Sequence, residues 1–398
     1  MQLQIKHTQI ACYLGTITQA ANNNLAPLLF VTFQRQFGLT LEQIGFLVTL
    51  NFTVQIITDF FAAKFSDRIG YRFSEMLGHA CSALGLIGLG IFPFLFPNAY
   101  TGLLIAVILY AFGGGLLEVL TSPIVEALPL ENKVAAMGLL HAFYCVGHVS
   151  VVLLSTLFFV CAGLEHWYLL PILWAILPLL NCVLFSKVPL YTLPGSEQPQ
   201  GFRHLFGLKA FWVFLILMIC SGAAEQAMSQ WSSLFAETGL HVSKTTGDLL
   251  GPCLFAALMG LSRLLYSKFG GRCSLKALLC ASALLCIASY LIAVFAPYPL
   301  LSLAGCALCG FSVGIMWPGV LSLSSLTCPT GGTALFALLA LAGDVGCAGG
   351  PGLVGFISDA SEAATSSGAL KFGLGFAIVF PIMMLLSLLL LRKSPSAS

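Results

Sequence analysis

The stretch AAKFSDRIGYR, residues 62–72, sets Asp67, Arg68, Gly70 and Arg72 between two long apolar runs. One run starts near residue 43 and the other ends near residue 96. About 20 residues of α-helix cover a hydrocarbon core about 30 Å thick, so two such runs read as a helical hairpin across a bilayer. Asp67 falls at a helix end and Gly70 permits a tight turn. Arg68 and Arg72 stay in water.

The same pattern continues along the chain. Of its 398 residues 58% are hydrophobic and 8% charged, and mean hydropathy is +0.97, which leaves no room for a soluble core of comparable size. Polar breaks mark twelve spans: 8–31, 43–64, 73–96, 101–127, 134–161, 166–187, 209–235, 247–268, 274–296, 299–326, 333–357 and 370–391. The longest polar interval, Lys187–Lys209, divides them six and six. The expected organisation is an N-terminal bundle over 1–187, a linker over 188–208 and a C-terminal bundle over 209–398. With both termini cytoplasmic, only Arg35, Lys244 and Lys371 of the 17 Lys and Arg fall on outer ends. The other 14 (17 less 3) follow the positive-inside rule, as for a multi-pass protein of the cell membrane.

Several classes are excluded. A net charge of +2 without basic patches gives no reason to expect nucleic acid. Most of the 14 cysteines, such as Cys280, Cys286, Cys306 and Cys309, sit inside spans, where cysteine acts as a small apolar residue. No metal spacing, phosphate loop or HExxH motif occurs, so neither a cofactor nor an enzymatic activity is expected. A sensor would add a soluble signalling domain, and no loop is long enough. No cleavable leader is expected, because the first apolar run carries Asn22, Asn23 and Asn24. GFSVG (Gly310–Gly314) fits the hydrolase nucleophile elbow, but it lies inside an apolar helix rather than in a strand–turn–helix. There, small residues four apart serve close helix packing.

The halves echo each other at an offset near 200. FSDRIGYR (Phe65–Arg72) matches YSKFGGR (Tyr266–Arg272), and QFGLTLEQIG (Gln36–Gly45) matches ETGLHVSKTTG (Glu237–Gly247). Duplicated six-helix units are the plan of many secondary carriers, with the site between the repeats. AAKFSDRIGYR resembles the loop 2–3 motif of the major facilitator superfamily, Gly-x-x-x-Asp-Arg-x-Gly-Arg-Arg, with Ala63 and Tyr71 as departures. The resemblance implies an all-α membrane fold of twelve transmembrane helices, as two bundles related by pseudo-two-fold symmetry. It also implies transport by alternating access, by a chain acting as a monomer.

A charge at mid-bilayer costs at least about 2.5–3.5 kcal/mol, so charged groups there should face a cavity or a partner. Glu118 in span 4, His148 in span 5, Glu225 in span 7 and Asp344 in span 11 are such positions. VGHVS (Val146–Ser150) aligns with AGDVG (Ala342–Gly346), which would set His148 and Asp344 across a central cavity. His141 and Tyr144 extend a polar stripe on span 5. AAEQAMSQW (Ala223–Trp231) puts Gln226 and Gln230 on one face with Trp231 beside them, and AANNNLAP (Ala20–Pro27) offers Asn22 and Asn23. Amides and carboxylates with an indole supply the donors, acceptors and stacking face a sugar needs. Isolated Ser, Thr and single amides can equally serve as helix–helix hydrogen bonds. Asp59 and Glu126 read as gating ion pairs with the Arg68 loop, and Arg263 plays the related part at span 8.

Within the superfamily, GGGLLEVLTSP (Gly113–Pro123) resembles span 4 of the L-fucose/proton symporter family, with Ser122 in place of its Asn. GIMWPGVLSLS (Gly314–Ser324), with Trp317, resembles that family's span 10. The likeness implies that Glu118 takes the transported proton. The family's second acid lies four residues before a proline in span 1, and that position here is Asn23. Glu118 then couples alone, or Glu225 or Asp344 supplies the second charge. The expected function is proton symport of a monosaccharide or similar polyhydroxylated solute. A proton-coupled exporter of drugs or amphiphiles and a sodium-coupled sugar symporter are the alternatives.

Overall fold

The computed structural model describes residues 4–131, 133–191, 205–269, 274–328, 332–362 and 368–391. The described residues are overwhelmingly helical, and ten of their helices are long and apolar enough to cross a membrane. The shorter Leu169–Phe185 is apolar as well. The first span makes twelve, and it is the polar exception.

That span is not one helix. Ile5–Asn24 gives way to a 3-10 turn, Ala26–Leu29, and then to Phe30–Phe37. Pro27 has no N–H to continue the α-helical ladder, and the Asn24 side chain donates to Ala20 O at 2.9 Å beside the break. Gly38, with φ 66, ends the span in the left-handed conformation common at helix C-termini. Span 10 breaks similarly into Pro299–Val313 and Met316–Thr327, and span 12 into Ala369–Phe376 and Val379–Leu390. Span 7, Lys209–Leu234, runs on through a π turn, Phe235–Gly239. Span 8 carries a π turn at Leu249–Cys253, where Pro252 interrupts the ladder before Leu254–Phe269. Continuous spans were expected at all of these places; local backbone chemistry broke or widened them.

The remaining spans are uninterrupted helices. They are Leu41–Ile69, Tyr71–Leu95, Ala99–Ala127, Lys133–Ala162 and the shorter Leu169–Phe185, then Leu275–Phe295 and Gly332–Glu362. Gly70 joins span 2 to span 3 at φ 95, a conformation that L side chains rarely adopt. The turn read from AAKFSDRIGYR therefore has a backbone reason for its glycine. Arg72, two residues on, donates to Phe185 O at 2.7 Å and Val188 O at 2.8 Å, so it ties the start of span 3 to the end of span 6. It satisfies carbonyls that a helix C-terminus leaves without intrahelical partners.

The chain forms two compact units, one from Met1–Thr40 and Leu50–Gly195, the other from Leu41–Thr49 and Ser196–Ser398. In the first, spans 3 and 4 approach so closely that Gly113 rests against Gly78 O and Ser82, with no room for a larger side chain. An apolar cluster that includes Cys12, Leu116, Leu120, Val125, Leu140, Phe185 and Val188 closes one end. In the second, Gly346 and Gly350 of span 11 press on the span 7 backbone at Ile219 and Ala223. Gly310 of the GFSVG segment rests on Phe255 O of span 8, and Ser312 Oγ donates to Cys309 O at 2.6 Å. The elbow-like pattern is a packing surface within a helix. Leu41–Thr49 joins this unit through Leu41 N to Asp359 Oδ1 at 3.1 Å and Thr49 Oγ1 to Ala348 O at 2.9 Å.

Candidate functional site

Each unit holds, among its described residues, a polar cluster that includes one of the span carboxylates singled out in the sequence. In the first unit, Glu118 is half-buried in span 4 and its Oε2 accepts from Gln19 Nε2 at 2.7 Å. Gln19 lies on the same span 1 helix as the three asparagines, which divide their work. Asn22 Nδ2 donates to Ser82 Oγ at 2.9 Å and Tyr110 O at 3.2 Å, which links spans 1, 3 and 4. Asn23 Oδ1 accepts from Asn51 Nδ2 at 3.1 Å and from Gln55 Nε2 at 2.8 Å, both on span 2. Asn24 Nδ2 reaches the Tyr144 hydroxyl at 3.4 Å, which adds span 5. Gly114 of span 4 lies beside Asn22 and Gln55.

This arrangement gives Asn23 a positive reason to be an amide acceptor. Two buried donors converge on one oxygen, and removing that oxygen would leave both unsatisfied. His148 is 3% exposed, and its neighbour Gly147 packs on Ile17 and Ala20 of span 1. Tyr144 is half-buried and His141 is exposed, so the stripe on span 5 runs from surface to interior. Asp59 is half-buried with an Oδ1 close to Gly115 of span 4, and Glu126 is exposed near the end of that helix.

In the second unit, Glu225 Oε1 accepts from Gln226 Nε2 at 3.3 Å, and Gln226 Oε1 accepts from Gln230 Nε2 at 3.1 Å. The three side chains form a ladder down one side of span 7. Glu225 Oε2 lies 3.9 Å from Arg263 Nη2 of span 8, and Arg263 Nε donates to Gly314 O at 3.3 Å. Arg263, read from the repeat as a gate residue, is thus brought to Glu225 and to the break in span 10. Trp317, half-buried just after that break, lays its ring against Gly343, the residue before half-buried Asp344. Trp231 is fully buried, its Nε1 donating to Pro351 O at 3.0 Å and its ring close to Gly355. Trp231 is thus packed against span 11, whereas Trp317 is half-buried.

Of the gate residues, Gly70 and Arg72 have the roles given above. The side chains of Asp67 and Arg68 lie outside the described residues, as do Gly270 and Arg272 of the matching loop. His148 and Asp344 belong to different units. Reading the sequence missed Gln19, Asn51, Gln55 and Ser82. Asn51, Gln55 and Thr58 recur at spacings of four and three, one face of a helix, and that signal could have found two of them.

Comparison with known proteins places this geometry in a family. The Major Facilitator Superfamily profile matches residues 12–351. No curated protein matches significantly. Among solved structures, a D-xylose–proton symporter superposes with TM-score 0.80 at 14% identity, over 97% of this chain and 96% of that one. An inward-facing, occupied bacterial homologue of the human lysosomal transporter Spinster gives 0.78 at 15% identity, over 98% and 99%. The E. coli fucose:proton symporter gives 0.63 at 19% identity, over 96% and 98%. At such identities the likeness is one of fold.

Proposed function

This chain belongs to the Major Facilitator Superfamily, and on that premise we propose that it is a proton-coupled symporter of a monosaccharide or similar polyhydroxylated solute. It is a multi-pass membrane transporter and not an enzyme. The solved relatives carry different cargo, among them D-xylose and fucose, so the choice of substrate rests on this chain's own side chains.

The observation that carries the reading is the Glu118–Gln19 pair. Glu118 is a carboxylate deep in a span, and its hydrogen-bond partner is a neutral amide. An ionised Glu118 is a charge at membrane depth, worth about 2.5–3.5 kcal/mol even on lenient scales. Taking a proton removes that charge, eases passage through an occluded state, and leaves Oε2 still able to accept from Gln19. Release toward the more alkaline cytoplasm restores the charge and resets the carrier. The amides that could answer substrate hydroxyls are Asn23, Asn51 and Gln55 within the first unit, and Gln226 and Gln230 within the second. Uniformly greasy surroundings, suited to an amphiphile exporter, are absent from both clusters. Asn23 Oδ1 already accepts two N–H donors, which speaks against its use as a sodium ligand. In this reading the protein sits in the cell membrane with both termini cytoplasmic.

The test is transport into proteoliposomes under an imposed proton gradient, using the solute that stabilises the protein in a thermal-shift screen of hexoses, pentoses and amino sugars. Glu118→Gln should abolish uphill accumulation and keep counterflow exchange. Full gradient-driven accumulation by that variant would end the coupling assignment.

A further inference from the structure

Beyond both clusters, span 3 holds a titratable pair that the proposed transport cycle does not use. Glu75 and His79 are one turn apart and both 0% exposed. Neither carboxylate oxygen of Glu75 has a hydrogen-bond partner among the described residues. His79 Nδ1 lies 3.6 Å from Oε2, but 2.8 Å from the backbone oxygen of Glu75. Across the ring, Nε2 lies 2.7 Å from Asn181 Nδ2 of span 6, which also donates to Ala11 O of span 1 at 2.9 Å. Asn181 Oδ1 is buried without a partner among the described residues.

These contacts fix the protons. A carbonyl only accepts, so Nδ1 carries hydrogen; an amide NH2 only donates, so Nε2 must accept. His79 is therefore the neutral Nδ1–H tautomer. Among the described residues Glu75 then has no cation beside it and no hydrogen-bond donor within bonding distance, a setting in which a bare carboxylate is heavily penalised and a neutral acid is not. The surroundings agree. Span 1 presents the Cys12 thiol, which interacts with Glu75, and span 6 presents the Cys182 thiol, which bonds Met76 O, and the Phe185 ring, 5.2 Å from the imidazole. Span 4 presents Leu116, Leu117 and Thr121 to this stretch of span 3 and span 1. On span 3 itself Tyr71 lies one turn before Glu75, and the Arg72 guanidinium is spent on Phe185 O and Val188 O.

We propose that Glu75, His79 and Asn181 form a second proton-binding site, separate from Glu118. Two arrangements hold the same single proton. One is the neutral acid beside a neutral imidazole, as here. The other is a carboxylate beside an imidazolium, with the Asn181 amide turned so that Oδ1 accepts from Nε2–H and the link to Ala11 O is released. Movement between them changes how span 6 holds span 1, the helix that carries Gln19 and Asn23. The site supplies the titratable position that Asn23 lacks; that coupling role rests on the symport reading, whereas proton occupancy does not.

The experiment therefore uses no solute. Infrared difference spectra of the full chain in bilayers, titrated across pH, should contain a protonated-carboxyl band that Glu75→Gln removes and Glu118→Gln leaves in place. A Glu75→Gln spectrum identical to wild type would overturn the site. Should that variant fail to fold, 15N spectra of His79 in the wild-type chain decide, expected to show hydrogen on Nδ1 and an unprotonated Nε2. In Asn181→Asp, which offers only acceptors, the ring should shift to imidazolium; an unchanged ring would also overturn the proposal. If the Glu75 band is found while Glu118→Gln transports with full coupling, the site stands and the symport reading falls.

Discussion

Glu118 and Glu225 are both acids in membrane spans, both bonded to a glutamine amide, yet their electrostatic settings differ. Glu225 has Arg263 3.9 Å away, and Glu118 has Gln19 at 2.7 Å. A carboxylate beside a guanidinium is neutralised in place and needs no proton. One beside an amide can lose its charge only by gaining a proton. The first arrangement suits a fixed scaffold for the Gln226–Gln230 ladder, and the second suits a group whose charge changes during a cycle.

The sharpest way to break this contrast is to remove each charge in turn. Glu118→Gln should reduce gradient-driven accumulation to the equilibrated level, while Glu225→Gln should weaken solute binding and leave uptake dependent on the proton gradient. Equal loss of coupling in both variants, measured as accumulation ratio against imposed pH difference, would erase the distinction. Next in size is Arg263→Ala, which strands Glu225 and should cost on the order of 2 kcal/mol in thermal or denaturant unfolding. That is less than a fully buried pair would lose, because the Arg263 side chain is 26% exposed. Adding Glu225→Gln should return most of that loss, and a double-mutant cycle reads the coupling.

Smaller still is Asn23→Ala, which leaves the Asn51 and Gln55 amides without their shared acceptor. Roughly 1–2 kcal/mol of stability should go, read as a fall in Tm. Asn23→Asp keeps the acceptor and should retain most of it. The smallest effect is at Gly70. With φ 95 and open space around its missing Cβ, Gly70→Ala should cost about 1 kcal/mol from backbone conformation alone.

Much of the fold was legible because bilayer physics writes it in long apolar runs, and the charged hairpin at residues 62–72 set the family. The first span was the hard one: its helix ends in three asparagines, so hydropathy alone does not mark it. Breaks in spans 10 and 12 and the π turns of spans 7 and 8 escaped because they depend on local hydrogen-bond register, which a count of apolar residues does not carry. Within the sites, expensive residues announced themselves. Glu118, Glu225 and Arg263 were all singled out, yet the pairing of the last two was not, since it joins neighbouring spans at a depth no repeat alignment specifies. Gln19 stayed hidden because one amide on a helix face looks like any other. The packing of Trp231 against Gly355 and Pro351 joins residues more than a hundred positions apart, so its neighbours in sequence did not show it.

The helix Leu41–Ile69 changes company part of the way along, since Leu41–Thr49 folds with the second unit and residues from Leu50 onward with the first. Severing the chain in its polar interval would therefore not yield the two units as separate fragments. A first-half fragment would keep Leu41 and Thr49 but lose Asp359 and Ala348, leaving an N–H and a hydroxyl without their native acceptors. The second half would lack the residues that press on its Gly352 and Gly355. Fragments made apart should be poor folders, and complementation should require that both be synthesised together.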